Sequence, residues 1–281
     1  MTGDRDRTPA RPVAVAPAAS LVLALLLAFA LCGCKNRLLF YPYGEIVATP
    51  ADAGIEYEDV YFPAAVDGVR LNAWWVPLAG ARGTVLFCHG NGGNISFLID
   101  TIAIYRSMGL SVLAFDYRGY GRSEGSPTEE GTYRDALGAW EYLVGEKKAD
   151  PARILLVGRS LGGAVAAWLA VNRRPGGLVL ESTFTRAADV ANHHYSLAPG
   201  MLIFGTTYDT ISRLGTIASP ILVIHSPGDE IIPFAMGEEL FRLAPEPKEF
   251  LTIQGSHNGG FMLSRRQYRG GLDGFVTGYL R

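Results

Sequence analysis

The sequence predicts an α/β fold: a mostly parallel central sheet of about eight strands with helices on both faces, an antiparallel hairpin at its start and a small lid. Three observations predict it. From Thr84 onward, short and continuously apolar runs alternate with amphipathic stretches of helical length, the pattern of parallel strands buried on both faces. Hydrophobic residues make up 48% of the chain and charged residues 19%, which is enough apolar surface for a large core. Several of the apolar runs end in reactive or turn-forming residues: His89-Gly90, Asp116, Ser160, Glu181-Ser182, His225 and Asp229. In such sheets ligands bind at the carboxyl ends of the strands.

The amino terminus reads as an address. Residues 13–34 carry no charge, Arg5, Arg7 and Arg11 precede them, and Leu21–Leu31 is an apolar core of signal-peptide length. The next residues, Leu31-Cys32-Gly33-Cys34, resemble a bacterial lipoprotein signal. That resemblance implies cleavage before Cys34, acylation of Cys34 and a place on the extracytoplasmic face of a membrane. An uncleaved anchor is the alternative, since an uncharged run of this length just reaches the roughly 20 residues that span a bilayer. A plain secretory signal is a third reading. Pro17 early in the run shortens the apolar core and favours cleavage. Residues 1–33 are therefore taken as signal or anchor, and 34–281 as one domain. Three cysteines make no disulfide framework, and Cys88, inside an apolar run, reads as a buried and inert thiol.

The remaining elements follow in order. Leu38–Pro42 is a short docking stretch after the anchor. The alternating segments Ile55–Phe62 and Val69–Val76 flank Asp67-Gly68, a hairpin signal. Strands are expected at Val85–Cys88, Ser111–Phe115, Ile154–Val157, Leu178–Leu180, Ile221–Ile224 and Phe250–Ile253. Helices are expected near 95–108, 128–146, 161–173, 234–244 and 264–280. Residues 184–219 leave room for a small lid, with Tyr195, Met201, Phe204 and Tyr208 available either to line it or to pack it. Chain length allows one or two domains at about 150 residues each. With no internal repeat and no low-complexity linker after the address, the reading is one.

The strand Ile154–Val157 runs into Gly158-Arg159-Ser160-Leu161-Gly162-Gly163 and then an alanine-rich helix. G-x-S-x-G between strand and helix resembles the nucleophile elbow of the α/β-hydrolase superfamily, with Ser160 as nucleophile on a sharply turned backbone. Serine is weak alone and needs a base that a third group holds. The resemblance implies the chain order serine, acid, histidine. That order selects Asp229, in His225-Ser226-Pro227-Gly228-Asp229-Glu230, and His257, in Gly255-Ser256-His257-Asn258. Glu230 and Glu181 are alternative acids, and His225 reads as a buried, hydrogen-bonded histidine. For the loop His89-Gly90-Asn91-Gly92-Gly93-Asn94 the same resemblance implies an oxyanion hole built from the backbone N–H groups of Asn91 and Leu161. Its glycines, with Gly158, Gly162 and Gly163, are expected where backbone approaches the reacting carbonyl.

Together with FDYRGYGRSEG (Phe115–Gly125) and ESTF (Glu181–Phe184), these motifs resemble the membrane-associated serine hydrolases related to protein depalmitoylases, over residues 38–281. In that family the segment from Asp116 to Ser123 buttresses the elbow, which implies structural hydrogen-bonding roles for Asp116 and Arg118. Those eukaryotic enzymes carry a cysteine-rich acylated tail that this chain lacks, so their substrate does not transfer. The implied chemistry is ester or thioester hydrolysis of a small-molecule or acylated substrate through an acyl-enzyme, with no metal and no organic cofactor. No Walker-type loop, H-E-x-x-H or paired Cys/His spacing is present. A net charge of −2 and the lack of a long basic run argue against nucleic acid. A peptidase or amidase on the same triad, and a silent membrane-tethered binding protein, are the alternatives.

Overall fold

The computed structural model describes residues 39–194 and 206–280. Cys34 and the whole predicted signal or anchor lie outside them, as do Tyr195, Met201 and Phe204. Among the described residues ten strands are formed: β1 (Tyr41–Pro42), β2 (Glu58–Pro63), β3 (Arg70–Val76), β4 (Gly83–Cys88), β5 (Gly92–Gly93), β6 (Leu110–Phe115), β7 (Ile154–Arg159), β8 (Gly177–Glu181), β9 (Ile221–His225) and β10 (Lys248–Thr252). Eight of them make one sheet in the order β10-β9-β8-β7-β4-β6-β3-β2. β3 runs antiparallel to both of its neighbours, and every pairing from β6 through β10 is parallel.

Side-chain alternation places the core on both faces. Leu86, Leu156, Leu178 and Ile221 lie in register across four strands and are buried in one cluster. Phe87, Val157, Val179 and Leu222 do the same one residue later, in the cluster on the other face. Truncating any of these to Ala costs about 2–5 kcal/mol at such fully buried positions.

The helices are α1 (Ile99–Ser107), α2 (Glu129–Gly145), α3 (Leu161–Asn172), α4 (Ala187–His194), α5 (Ile211–Leu214), α6 (Phe234–Leu243), α7 (Gly260–Leu263) and α8 (Arg265–Tyr279). α2 starts where Thr128 accepts from the Gly131 N–H at 2.9 Å, with Glu129 and Glu130 in its first turn. Both features stabilise a helix amino terminus. Among the described residues no helix is long and apolar enough to cross a membrane.

Two local outcomes differ from expectation. The hairpin forms, but Asp67-Gly68 is not a two-residue turn. It lies in a longer loop closed by Ala64 N–H to Val69 O (2.7 Å), and Arg118 takes up the Asp67 carboxylate at 2.9 Å. Tyr208, a candidate for the lid, is buried; its hydroxyl meets Thr132 Oγ1 at 2.9 Å and its ring stands edge-on to Tyr133 and Phe40. It packs the core.

The order of strands positions the site. β4 is flanked by β6 on one side and β7 on the other, so chain order reverses there and the loops leaving β4 and β7 diverge into a crevice. A second, two-stranded parallel ladder, β1 on β5, straps the chain's first described residues to the loop after β4. Sequence patterning missed this ladder because a pair of glycines carries no strand signal.

Candidate active site

Ser160 is the lone residue between β7 and α3, at φ 55° and ψ −122°. A non-glycine residue held there costs about 1–3 kcal/mol and persists only where its surroundings fix it. Here the Ser160 N–H donates to Glu181 O (2.9 Å), while its carbonyl accepts from Thr183 Oγ1 (2.6 Å) and Gly163 N–H (2.9 Å). A Cβ at Gly158 would collide with the Gly162 carbonyl, and one at Gly162 with the Cys88 carbonyl. The G-x-S-x-G spacing thus reflects close packing of the turn against itself and against β4.

The structure brings the three expected side chains together. His257 Nε2 lies 3.1 Å from Ser160 Oγ, and His257 Nδ1 lies 2.8 Å from Asp229 Oδ2. A carboxylate only accepts, so Nδ1 carries the proton and bare Nε2 faces the serine hydroxyl. That is the tautomer a general base needs. The second carboxylate oxygen, Asp229 Oδ1, accepts the N–H groups of Ile231 (3.0 Å) and Ile232 (2.8 Å). Burial alone would push the Asp229 carboxyl up. Hydrogen bonds from His225, His257 and the Ile232 N–H overcome this and hold it well below the usual carboxylate range.

The rival assignments go elsewhere. Glu181 is occupied by Arg159 Nε (2.8 Å) and the Tyr268 hydroxyl (2.8 Å). Glu230 does not reach the ring of His257; its Oε2 accepts the His257 backbone N–H at 3.0 Å. His225 is buried and donates from Nε2 to Ile232 O (3.0 Å), as the sequence suggested, but it also stands 3.4 Å from Asp229 Oδ2. Contact with the acid was not legible, because it arises only when the loop folds back over the end of β9.

On the other side of Ser160, Gly90 approaches so closely that a Cβ there would touch Ser160 Cβ at 3.4 Å. The His89 ring Nδ1 is 2.7 Å from Gly90 O. A carbonyl only accepts, so Nδ1–H donates and fixes the Gly90–Asn91 peptide. Because that peptide is trans and planar, the Asn91 N–H points away from the His89 ring. The next peptide is held too: the Tyr120 hydroxyl donates to Asn91 O (2.8 Å), and Asn91 Nδ2 donates to Leu39 O (2.6 Å). Leu161 is the first residue of α3, where N–H groups lack intrahelical partners. His89, Tyr120 and Leu39 were not singled out for this role by sequence, although the first two lie in the quoted motifs.

Asp116 is fully buried with Oδ1 accepting the Ile95 N–H (2.9 Å) and lying 3.6 Å from His89 Nε2. Arg118 pairs with Asp135 (2.8 Å) and Asp67 (2.9 Å). Both residues are structural, as expected, but Asp116 supports the loop after β4 rather than the elbow. Gly92 and Gly93 likewise pair with Tyr41 and Pro42 instead of approaching a reacting carbonyl. Cys88 is buried, and burial pushes its thiol up to about 12, which leaves it inert. Among the described residues no group of three or more His, Cys, Asp or Glu is placed to hold a metal ion.

The sequence and the fold have known counterparts. The family described as serine aminopeptidase, S33 matches residues 79–205, a span that contains Ser160 and the loop after β4. An uncharacterized protein of Mycobacterium tuberculosis is 38% identical over 246 residues, covering 86% of this chain and 87% of its own length. The alpha/beta hydrolase domain-containing protein WAV2 of Arabidopsis thaliana is 33% identical over 234 residues, 75% of this chain and 74% of that protein. Among solved structures, an esterase of Pyrococcus furiosus superimposes with a TM-score of 0.75 at 19% identity, over 86% of this chain and 99% of that one, a likeness of fold. Sheet order, elbow and relatives agree: the chain belongs to the α/β-hydrolase superfamily.

Proposed function

We propose that this hydrolase is a serine esterase or thioesterase working through an acyl-enzyme. The observation that carries the reading is the continuous line from Ser160 Oγ to His257 Nε2 (3.1 Å) and from His257 Nδ1 to Asp229 Oδ2 (2.8 Å) on a strained elbow. Ser160 Oγ attacks the acyl carbonyl as His257 Nε2 takes its proton. The Asn91 and Leu161 N–H groups receive the oxyanion, and ionised Asp229 stabilises the imidazolium. His257 then protonates the leaving alcohol or thiol, and a water molecule repeats the sequence on the acyl-serine. A fluorophosphonate probe tests this directly. Ser160 becomes labelled, Ser160→Ala abolishes labelling, and His257→Ala lowers it strongly. Well-folded protein that takes no label is instead a silent binding protein.

Matching the S33 family favours one second reading, an amidase or peptidase using the same three residues. An acyl anilide compared with the matched acyl ester separates the two.

The tether is also a proposal. Residues 1–33 serve as signal or anchor, Cys34 is the acylated residue, and 34–281 form the hydrolase domain with its lid at 184–219. Cys34→Ala then releases the protein from membranes or stalls processing. Full-length, unacylated protein retained on the membrane means an uncleaved anchor instead.

A further inference from the structure

The first described residues do not run along the far side of the molecule; they are laced to the loop that flanks Ser160. Tyr41 and Pro42 pair with Gly92 and Gly93, and the Tyr43 N–H donates to Gly93 O at 3.1 Å. Asn94 Nδ2 donates to both Tyr43 O (2.8 Å) and Glu45 O (2.7 Å), and the Gly121 N–H to Tyr43 O (3.0 Å). Leu39 O receives the side chain of Asn91 itself. The strap therefore leaves the domain at the rim of the crevice, at the carboxyl end of the sheet.

The uncharged run ends at Cys34, five residues before Leu39. At roughly 3.3–3.6 Å per residue, a fully extended chain of that length reaches no more than about 18 Å. Whether the tether is an acyl chain on Cys34 or an uncleaved helix, the rim beside Ser160 is held within that distance of the bilayer surface. Lys35 and Arg37 occupy the gap.

The same rim carries a strip of exposed apolar side chains. Tyr41 is 62% exposed, Tyr43 42%, Val47 53% and Phe97 59%. They are neighbours: the Tyr43 and Phe97 rings meet edge-on at 6.0 Å, and the Val47 N–H donates to Ser96 Oγ beside Phe97. Tyrosine and phenylalanine at such a border fit the lipid–water interface, where amphipathic rings settle. Either tether alone leaves the orientation of the domain open, and a second apolar contact on the domain itself fixes it.

We propose that the mouth of the candidate site faces the bilayer, with Tyr41, Tyr43, Val47 and Phe97 as its interfacial contact, so that an acyl ester or thioester held in that membrane reaches Ser160 directly. The inference rests on the acyl-transfer and tether readings above. A tether fixed at the rim leaves little freedom to turn the crevice toward water. An acyl chain lying in the outer leaflet then needs to move only a short way to present its carbonyl to Ser160.

The test uses the full-length protein reconstituted in phosphatidylcholine–phosphatidylglycerol vesicles. Three quantities are read: flotation with the vesicles, turnover of a water-soluble butyryl ester, and turnover of a palmitoyl ester or palmitoyl thioester embedded in the same vesicles. Two variants accompany the parent: Val47→Ser/Phe97→Ser, and a twenty-residue Gly/Ser spacer inserted between Asn36 and Arg37. Both variants are expected to hydrolyse the soluble ester within twofold of the parent and the embedded substrates about tenfold more slowly. If the embedded and soluble rates keep their ratio in both variants, the membrane-facing mouth is overturned while the hydrolase reading stands. Loss of flotation in the parent overturns the tether and this inference with it. A parent that cleaves neither soluble nor embedded substrate removes the enzyme reading itself.

Discussion

Two histidine–aspartate pairs stand at the carboxyl end of the sheet, built from the same residue types, one holding an ionised acid and the other uncharged. In one, His257 and Asp229 are 2.8 Å apart, and Asp229 collects two backbone N–H groups and two histidines. In the other, His89 and Asp116 are 3.6 Å apart, and Asp116 has one backbone donor while its Oδ2 has no partner. Burial pushes the Asp116 carboxyl up to about 8 and the His89 ring down to about 4. Near neutral pH the first pair holds an ionised acid and the second is uncharged. Burial is common to both; the number of donors aimed at the carboxylate decides the outcome. The first pair suits moving a proton, and the second suits orienting a peptide.

The largest expected effect comes from breaking the charged pair. Asp229→Asn keeps the shape but lets the amide donate toward His257 Nδ1, which favours the wrong ring tautomer. Such a change lowers kcat by about 10⁴ in a serine triad. Steady-state ester hydrolysis measures it, with unchanged thermal unfolding as the control for folding. An effect below tenfold would mean that Asp229 is not the group that holds His257.

The neutral pair comes next. If His89 Nδ1–H sets the Gly90–Asn91 peptide, His89→Ala should lower kcat by about 10²–10³, the cost of losing an oxyanion donor. KM should move little, and affinity for a trifluoromethyl ketone should fall in step with kcat. His89→Asn places an amide N–H near the position of Nδ1 and should restore much of the loss. Equal losses in both variants would point to a packing role against Tyr117 and Tyr120, whose rings lie 4.4 and 5.2 Å away.

The contrast also explains what sequence could and could not reveal. Strand and helix periodicity locates the eight-stranded sheet and its main helices, because each pattern follows from burial of one residue's own side chain. The meeting of Ser160, Asp229 and His257 was legible only through the resemblance to the superfamily, which ties each to a place after a strand. What stayed hidden depends on long-range backbone contacts. The hold of Leu39 O on Asn91 spans 52 residues, and that of Tyr120 on the same loop spans 29. Glycine pairs such as Gly92-Gly93 signal looseness in sequence, yet here they are the rungs that bind the strap.

Asp116→Asn should leave activity nearly intact and alter stability with a definite sign. The unfolded carboxyl ionises at its ordinary value while the folded one stays protonated up to about 8. Within that window the unfolded state binds fewer protons, so this group makes stability fall as pH rises, with no further loss above it. The asparagine variant lacks the term. Urea midpoints at pH 5 and pH 8 should therefore show the variant gaining on the parent as pH increases. A constant difference across that range would show that the folded Asp116 is already ionised.

Of the losses in kcat the smallest belongs to substitutions of Glu230 that alter the hold on His257, and they isolate how the charged pair is kept in place. Its carboxylate accepts the His257 backbone N–H at 3.0 Å from an exposed position and makes no hydrogen bond to the ring. Glu230→Gln keeps an acceptor and loses only the charge, so solvent screening should confine the change to about twofold. Glu230→Ala removes the acceptor at the surface, where water replaces it, and about 1 kcal/mol of ordering, or roughly fivefold in kcat, is the expected cost. KM and fluorophosphonate site selectivity should be unchanged in both. If Glu230→Gln were as damaging as Asp229→Asn, the acid would be shared between the two adjacent carboxylates. The contrast drawn above, in which donors converging on Asp229 alone keep that acid ionised, would then fail.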